Sequence, residues 1–338
     1  MQNGFTLALG RAGRVAGCLT LAGLTLAHAP ARAAEMLPGL AGVHRVVFLG
    51  DSITYSGEYV EDIEAYVATR FPTSHLEFLN LGLPSETVSG LSEPGHAGGQ
   101  FPRPCLLERL PSVLEKTKPD LVVACYGMND GIYYPFSEER FQKFRDGLQE
   151  LRQRVLAAGA RLLLVTPPTF DPLPIQAQTL PAGLPEYRSP YVGYNDVLDR
   201  YSDWLLPQRT NGWDVVDIHG PMNRYLAEHR KHDPSYHLAG DGVHANAVGH
   251  WLIARQILRH WGAPAAVGAL PDAKALLAEY PGGAELLDLV QRRQRVLKDA
   301  WLTNVGHHRP GMNQGLPLPE AERQAAEWEK QIRALAVH

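Results

Sequence analysis

Short runs of apolar residues alternate along this chain with segments whose apolar residues recur at helical spacing. Such alternation predicts parallel strands joined by crossover helices. The predicted strands are rich in Val, Leu and Ile with little polar alternation, which is typical of strands covered on both faces. They are residues 45–50, 76–81, 121–126, 161–166 and 213–218.

Between these strands, apolar residues recur at intervals of three or four, as they do on one face of an α-helix. The clearest case is residues 58–71, where Tyr59, Ile63 and Tyr66 follow this spacing. The alternation predicts an α/β domain over residues 40–262. Further predicted crossover helices are residues 140–158 and 191–206, and the last predicted helix is residues 246–260.

The chain after residue 262 has a different pattern. Residues 284–299 and 319–336 are predicted as amphipathic helices, joined by a linker that contains His307-His308-Arg309. This segment contains too few strand-forming runs to build a sheet of its own. Residues 263–338 are therefore predicted to be a helical extension packed on the α/β core.

Two long irregular segments interrupt the α/β pattern. Residues 84–104 are rich in Gly, Pro and Ser, and residues 167–190 are rich in Pro. Both follow predicted strands, so both are expected at the carboxyl edge of the sheet, where long loops usually carry function. We expect them to shape a substrate site, with Glu86, Glu93 and Arg103 as solvated loop charges.

The amino terminus has the three parts of a secretory signal peptide. Arg11 and Arg14 provide a basic start, residues 15–27 are mostly small or apolar, and Ala-Arg-Ala at 31–33 offers a cleavage site. The apolar run is shorter than the roughly 18 to 20 residues that a membrane span needs. Residues 1–33 are therefore predicted to direct the protein to the periplasm or the exterior, with cleavage after Ala33.

Net charge limits the classes of partner. The chain has 32 basic and 36 acidic residues, and removing the three arginines of residues 1–33 leaves a net charge of about −7. Nucleic-acid binding needs clustered Lys and Arg to neutralise phosphates, and no such run is present. We therefore expect no nucleic-acid partner, no membrane span and no obligate protein partner.

Two cysteines remain outside the predicted signal peptide. Cys125 lies in an apolar run, where a buried thiol is expected. A disulfide with Cys105 is chemically permitted outside the cytoplasm, so the sequence leaves both states open. The spacing of Cys and His residues does not indicate a zinc site.

The first predicted strand stops abruptly at Gly50-Asp51-Ser52, which places a serine hydroxyl at the carboxyl end of a buried strand. Far downstream, Asp241 and His244 lie three residues apart, ahead of the last helix of the core. A serine hydroxyl needs an adjacent base to act as a nucleophile, and the base needs an orienting carboxylate. The three residues predict a Ser52–His244–Asp241 triad for acyl transfer.

Hydrolysis of an ester passes through an oxyanion, which preorganised hydrogen-bond donors stabilise. Three groups follow predicted strands and could supply donors: the backbone N–H of Ser52, the backbone N–H of Gly82 and the side-chain amide of Asn129. Each signal is weak alone, because a glycine or an Asn-Asp pair after a strand is usually a turn. Their order along the chain suits a single active site.

This ordered set resembles the SGNH hydrolases, the superfamily of GDSL-type esterases and lipases. The matching blocks are Gly50 to Thr54, Gly82, Gly127-Met128-Asn129-Asp130 and Asp241-Gly242-Val243-His244. The resemblance implies a flavodoxin-like three-layer α/β/α sandwich with a five-stranded parallel sheet. It also implies that Ser52, Gly82 and Asn129 form the oxyanion hole, and that neither metal nor organic cofactor is used.

Substrate identity is less well defined. Candidate substrate-binding residues are Asp51, within the first block, and Tyr55, Tyr133 and Tyr134, which closely follow two of the blocks. The aromatic rings could stack on sugar rings at the rim of the site. Secreted members of the family that the chain resembles often remove acetyl groups from polysaccharides. The leading prediction is therefore a secreted serine esterase acting on short acyl esters, chiefly acetyl, of carbohydrate.

Three alternatives stay open at this point. A lipase or lysophospholipase would need an apolar trough, whereas the two long loops contain few large aliphatic residues. An O-acyltransferase would use the same acyl-enzyme but exclude water. A non-catalytic carbohydrate-binding protein could keep the fold, although it would have no need of a complete triad.

Overall fold

The computed structural model describes Met1 and residues 36–336. A five-stranded parallel sheet with strand order β2-β1-β3-β4-β5 forms its centre. Residues 1–33 fall outside the described part of the chain apart from Met1, so the signal peptide stays a prediction. The strands are β1 (Arg45–Gly50), β2 (Glu77–Asn80), β3 (Leu121–Cys125), β4 (Arg161–Val165) and β5 (Asp214–Val216).

Burial explains why these segments form strands. All five residues of β3 are buried, as are the last five of β1, since helices cover both faces of the central strands. The register pairs Val47 with Leu79 on one side and with Val122 on the other. The five predicted strands are confirmed, with β2 and β5 shorter than the apolar runs that contain them.

The helices of the core connect and cover the strands. The short α1 directly follows β1 and carries Ser52, while α2 and α7 pack against each other and α3 packs against α4. The sequence pattern did not predict helix α3, which contains Pro111 in its interior. The core helices are α1 (Ser52–Ser56), α2 (Glu58–Arg70), α3 (Leu106–Thr117), α4 (Glu138–Ala157), α5 (Tyr194–Leu205), α6 (His219–Arg230) and α7 (Ala247–His260).

The order of the strands determines where a site can form. The chain runs outward from β1 to β2 and then returns to β3 on the other side of β1, so the connections diverge at the carboxyl ends of β1 and β3. Open parallel sheets bind ligands at this switch point. The flavodoxin-like arrangement is confirmed, and it places the segments after β1 and β3 beside each other.

Three helices follow the core: α8 (Ala273–Leu277), α9 (Gly283–Val305) and α10 (Leu318–Ala336). Helix α9 packs on α2 and β2. Its Arg293 and Gln294 both bond to the buried carboxylate of Glu64, and Gln294 also donates to Phe78 O at 2.8 Å. These buried polar contacts tie the carboxy-terminal helices to the core.

The cysteines and the hydropathy of the helices can now be compared with the sequence predictions. Cys105 and Cys125 are both free thiols in the structure, and Cys125 is buried. Within residues 36–336, no helix is long and apolar enough to cross a membrane.

Candidate active site

The turn between β1 and α1 positions the candidate nucleophile. A side chain at Gly50 would collide with Thr54, because an added Cβ would lie 2.1 Å from Thr54 Oγ1. Asp51 ends the strand and caps the helix by accepting the N–H of Ile53 at 2.9 Å. Ser52 is the first residue of α1, so its own N–H has no intrahelical acceptor.

Ser52, His244 and Asp241 form a continuous hydrogen-bond chain. His244 Nε2 lies 2.7 Å from Ser52 Oγ, and His244 Nδ1 lies 2.6 Å from Asp241 Oδ2. Burial raises the pKa of Asp241, but hydrogen bonds from the His244 ring and from the 243 and 244 backbone outweigh burial, so its pKa is lowered. The ionised carboxylate accepts a hydrogen bond from Nδ1–H, which leaves Nε2 free to accept the serine proton.

The carboxylate and the imidazole of this chain come from one short loop. Asp241 Oδ1 accepts the backbone N–H groups of Val243 and His244 at 3.0 and 2.8 Å, so the carboxylate and the imidazole are fixed relative to each other. The side chains of Asp241 and His244 are each about half exposed, at 56% and 51%. Asp171 anchors the loop, because its backbone N–H donates to Gly242 O at 2.8 Å. The side chain of Asp171 is fixed in turn by Arg230 Nη2, which donates to both carboxylate oxygens.

Asn129 follows β3, the strand whose last residue pairs with Gly50 at the end of β1. Its Oδ1 accepts from Arg103 Nη1 at 3.0 Å and from the Tyr133 hydroxyl at 3.1 Å. Its Nδ2 donates one hydrogen to Glu86 O at 3.2 Å. A primary amide has two N–H donors, so one remains for a ligand.

Gly82 does not offer the donor that the sequence predicted. Its N–H donates to Asn80 Oδ1 at 3.0 Å. The residue is buried, and an added Cβ would lie 2.4 Å from the backbone N of Tyr55. The glycine is therefore required for close packing of the segment after β2 on α1, a different reason from the one predicted.

Ser85 has the free backbone N–H that Gly82 lacks. Its φ is +70°, in the left-handed region that non-glycine residues rarely occupy. Its loop is attached on one side by Leu83 N to Gly50 O at 2.9 Å and on the other by Asn129 to Glu86 O. Within the described residues, no acceptor pairs with the Ser85 N–H, and nothing in the local sequence suggested a strained serine.

Asp51 was predicted to contact substrate, and its position contradicts this. The residue is 4% exposed and its carboxylate faces the backbone of α1. Burial raises its pKa to about 7, against the lowering effect of the bond from Ile53 N–H. Asp51 orients the nucleophile turn from beneath.

The three tyrosines predicted at the rim differ from one another. Tyr55 is half-buried, with Lys298 Nζ 4.1 Å above its ring centroid and bonded to its carbonyl at 2.6 Å. Tyr133 stacks on Tyr194 at 4.9 Å and bonds to Asn129, so it supports the site from within. Tyr134 packs on Tyr187 at 4.9 Å and is partly exposed.

Three residues predicted as solvated loop charges are instead largely buried. Glu86 is fully buried, where Arg109 bonds to both its oxygens at 2.6 and 2.8 Å and the Tyr126 hydroxyl donates to it at 2.6 Å. Arg103 is 9% exposed and forms a two-bond ion pair with Glu93 at 2.7 Å. The first pairing joins the loop to α3 and the second closes across the loop itself, and neither has a regular spacing that the sequence pattern could indicate.

The linker of the carboxy-terminal extension reaches the same loop. Arg309 donates to Pro84 O at 2.9 Å and lies over the ring of Phe101 at 5.5 Å. The segment is thus more than a simple connection between helices, since it braces the segment that carries Ser85. Within residues 36–336, no cluster of three His, Cys, Asp or Glu side chains is arranged to hold a metal ion.

Several solved structures are similar to this chain, and the first of them shares its fold. BT4096, a gut microbial diltiazem-metabolizing enzyme, aligns with a TM-score of 0.52 at 23% identity over 65% of this chain, which spans about half (47%) of that enzyme. LAE5, an α/β hydrolase from the metagenome of Lake Arreo, has a TM-score of 0.48 at 25% identity, covering 65% and 95%. Axe2, an acetylxylan esterase from Geobacillus stearothermophilus, has a TM-score of 0.48 at 21% identity, covering 65% and 95%.

Sequence comparison gives the family. No curated protein matches the chain. The model of the GDSL-like lipase/acylhydrolase family matches residues 48–252, which is more than half of the chain and runs from β1 through most of α7. The chain belongs to the GDSL-like lipase/acylhydrolase family of carboxylic ester hydrolases.

Proposed function

We propose that this protein is a secreted serine esterase that hydrolyses short acyl esters, acetyl foremost, on carbohydrate. The observation that carries the proposal is the Ser52–His244–Asp241 chain, with bonds of 2.7 and 2.6 Å. A hydroxyl bonded to an imidazole that a carboxylate orients is the arrangement that acyl transfer requires.

The proposed reaction has two steps. The Oγ of Ser52 attacks the ester carbonyl while His244 Nε2 takes its proton, and the tetrahedral intermediate collapses as the alcohol leaves with that proton. Water then attacks the acyl-enzyme, gives a proton to His244, and displaces Ser52 Oγ, which takes the proton back. Asp241 stabilises the imidazolium that forms in each step.

The oxyanion in each tetrahedral intermediate needs donors that are free before substrate binds. We assign this role to the Ser52 N–H, the second amide hydrogen of Asn129 and the Ser85 N–H. Ser85 replaces Gly82 in this proposal because the Gly82 N–H is already bonded to Asn80. Removing one such donor typically lowers kcat by about 10²- to 10³-fold.

Support for carbohydrate comes from three sources. Residues 1–33 have the signal-peptide pattern, which suggests export to where polysaccharides are found. The partly exposed Tyr134 ring could stack on a sugar. Half-exposure of Asp241 and His244 suits an ester displayed on a large polymer better than one buried in a deep apolar pocket.

The test is acetate release from acetylated xylo-oligosaccharides by the wild type and by Ser52→Ala. We expect the wild type to release acetate, and we expect the turnover of Ser52→Ala to be lower by about a thousandfold or more. Ser56→Ala is the matched control, because Ser56 Oγ also bonds a histidine, His250 Nε2 at 3.0 Å, without a carboxylate beyond it. Ser56→Ala should keep its activity.

The same samples distinguish the alternatives. Activity that rises with acyl length, from acetyl to palmitoyl esters or on lysophospholipid, would favour a lipase. Acetyl transfer to an added sugar acceptor in preference to water would favour an O-acyltransferase. Binding of xylo-oligosaccharides without turnover in either protein would indicate a non-catalytic binding protein.

A further inference from the structure

The amide of Asn129 is held from both ends. Two donors, Arg103 Nη1 at 3.0 Å and the Tyr133 hydroxyl at 3.1 Å, converge on Oδ1. One acceptor, Glu86 O at 3.2 Å, receives a hydrogen from Nδ2. Rotating the amide by half a turn would set oxygen against oxygen at Glu86 and nitrogen against two donors, so only one orientation satisfies all three partners.

Arg103 is itself fixed in place. Its Nε and Nη2 bond to both oxygens of Glu93 at 2.7 Å, and its backbone N–H donates to Ser92 Oγ at 2.9 Å. Its guanidinium carbon lies 5.4 Å from the ring centroid of Tyr133. With two of its three nitrogens used on Glu93, the third points at Asn129 with little freedom to move.

Tyr133 has a hydroxyl that acts as a donor. Burial raises the pKa of Tyr133, so the hydroxyl stays protonated at any physiological pH. Its ring is packed against Tyr194 and Phe170. Arg103 and Tyr133 therefore approach Oδ1 as two rigid donors, one of them charged, and a charged donor strengthens the bond and polarises the amide.

We propose that Arg103 is a positioning residue for ester hydrolysis, which together with Tyr133 orients the Asn129 amide so that its free N–H faces the oxyanion. This inference rests on the proposed function, because it assumes that Asn129 stabilises the oxyanion. Arg103 acts through Asn129 and does not touch the reacting atoms. Without Arg103, the amide loses its charged partner and populates orientations that present Oδ1 to the oxyanion.

The first readout does not depend on the natural substrate. A small fluorophosphonate reacts with an activated serine as the Ser52 Oγ–P bond forms, the P–F bond breaks, fluoride leaves, and His244 takes the proton. The second-order labelling rate is measured by intact mass. We expect Arg103→Met to label at least about tenfold more slowly than the wild type, and Tyr133→Phe about two- to fivefold more slowly. Both decreases should be smaller than the decrease of about 10²- to 10³-fold that is typical when an oxyanion donor such as the Asn129 amide is removed.

A double-mutant cycle separates positioning from general structural damage. In an Asn129→Ala background, Arg103→Met should lower the rate by less than about twofold further, because there is no amide left to orient. With 4-nitrophenyl acetate, Arg103→Met should lower kcat and leave KM within about twofold. Arg140→Met is the matched control, since Arg140 lies over the Tyr134 ring at 5.4 Å and does not bond to Asn129.

The outcomes are distinct. Multiplicative losses in the double mutant, or a wild-type rate in Arg103→Met, would overturn the inference while leaving Ser52 as the nucleophile. Wild-type protein that is not labelled at Ser52 would overturn the proposed function, and the inference with it. Loss of folding in Arg103→Met, detected by circular dichroism, moves the cycle to Tyr133→Phe, where additivity with Asn129→Ala overturns the inference in the same way.

Discussion

At the scale of single residues, the buried charges stand out. Glu86 and Arg109 form an ion pair in the core, and Arg109 also donates to Leu81 O at 2.7 Å. The carbonyl of Glu86 accepts from Asn129. The pair therefore joins the segment after β2 to a residue of the proposed oxyanion hole, and its loss should affect both stability and rate.

We expect Arg109→Met to destabilise the protein by about 3–5 kcal/mol, because it leaves the Glu86 carboxylate buried without its charged partner. Urea denaturation followed by fluorescence measures this loss. The double variant Glu86→Gln with Arg109→Met removes both charges and should recover part of the stability. A loss below about 1 kcal/mol in Arg109→Met would show that the pair is not needed.

Ser85 and Gly82 give opposite predictions for small substitutions. Ser85→Gly keeps the backbone N–H and relieves a left-handed conformation that costs a serine on the order of 1 kcal/mol, so activity should persist and stability should not fall. Gly82→Ala should destabilise, since its Cβ would lie 2.4 Å from Tyr55 N. Thermal denaturation and 4-nitrophenyl acetate turnover test both. An inactive Ser85→Gly with normal stability would contradict the Ser85 assignment.

At the scale of elements, the loop at residues 84–104 is docked on the core by its backbone. Asp130 Oδ1 accepts the N–H groups of Val88 and Ser89 at 2.9 and 2.8 Å. Helix α4 has a glycine, Gly147, where it passes the loop, and an added Cβ there would lie 2.2 Å from Val88 O. A long and mostly irregular loop, with a 3-10 turn at His96–Gly99, is thus fixed close to the site that it borders.

Replacing Gly147 by alanine should reverse the usual effect of that change. In an ordinary helix, Gly→Ala stabilises by about 1 kcal/mol, but here the methyl group meets the Val88 carbonyl, and overpacking costs about 1–3 kcal/mol. We expect a lower Tm and lower esterase turnover, because the displaced loop carries Ser85. Gln153→Ala, on the exposed face of α4, is the control and should change stability little. A more stable Gly147→Ala would contradict the tight docking.

Sequence patterns predicted the elements better than their side-chain partners. The strands and the helices at 58–71, 140–158, 191–206 and 246–260 could be predicted because their apolar periodicity is local. Helix α3 was missed because it follows a long Gly- and Pro-rich loop and contains Pro111. The ion pairs of Arg103 with Glu93 and of Arg109 with Glu86 could not be predicted, since each depends on the path of an irregular loop that has no periodic spacing.

At the scale of the whole molecule, several carboxyl groups on α2 face the carboxy-terminal extension. Burial, together with the nearby charges of Glu61, Glu58 and Asp272, raises the pKa of Asp62 to about 8. Burial also raises the pKa of Glu61 to about 7, against the lowering effect of Lys298. The folded protein therefore retains protons on these acids that the unfolded chain has already lost.

Stability should accordingly fall as the pH rises. Unfolded Asp62 ionises near its ordinary pKa of 3.8 and folded Asp62 near 8, so its contribution is fully present below about pH 4 and lost as the pH rises through 8. Asp62→Asn should flatten this part of the Tm–pH profile between pH 5 and 9. Asp203→Asn, at an exposed site on α5, should leave the profile unchanged. Parallel profiles for wild type and Asp62→Asn would contradict the shift.

The loop at residues 241–244 has a consequence for how the enzyme could be controlled. Because the carboxylate of Asp241 and the imidazole of His244 are bonded to each other within four residues, a displacement of this loop would move them together and keep their mutual geometry. The distance that would change is the one from His244 Nε2 to Ser52 Oγ, now 2.7 Å. Asp171 donates its backbone N–H to Gly242 O and accepts hydrogen bonds from Arg230 through its carboxylate. A displacement of Arg230 would therefore be transmitted to this loop and would change the distance from His244 to the Ser52 hydroxyl.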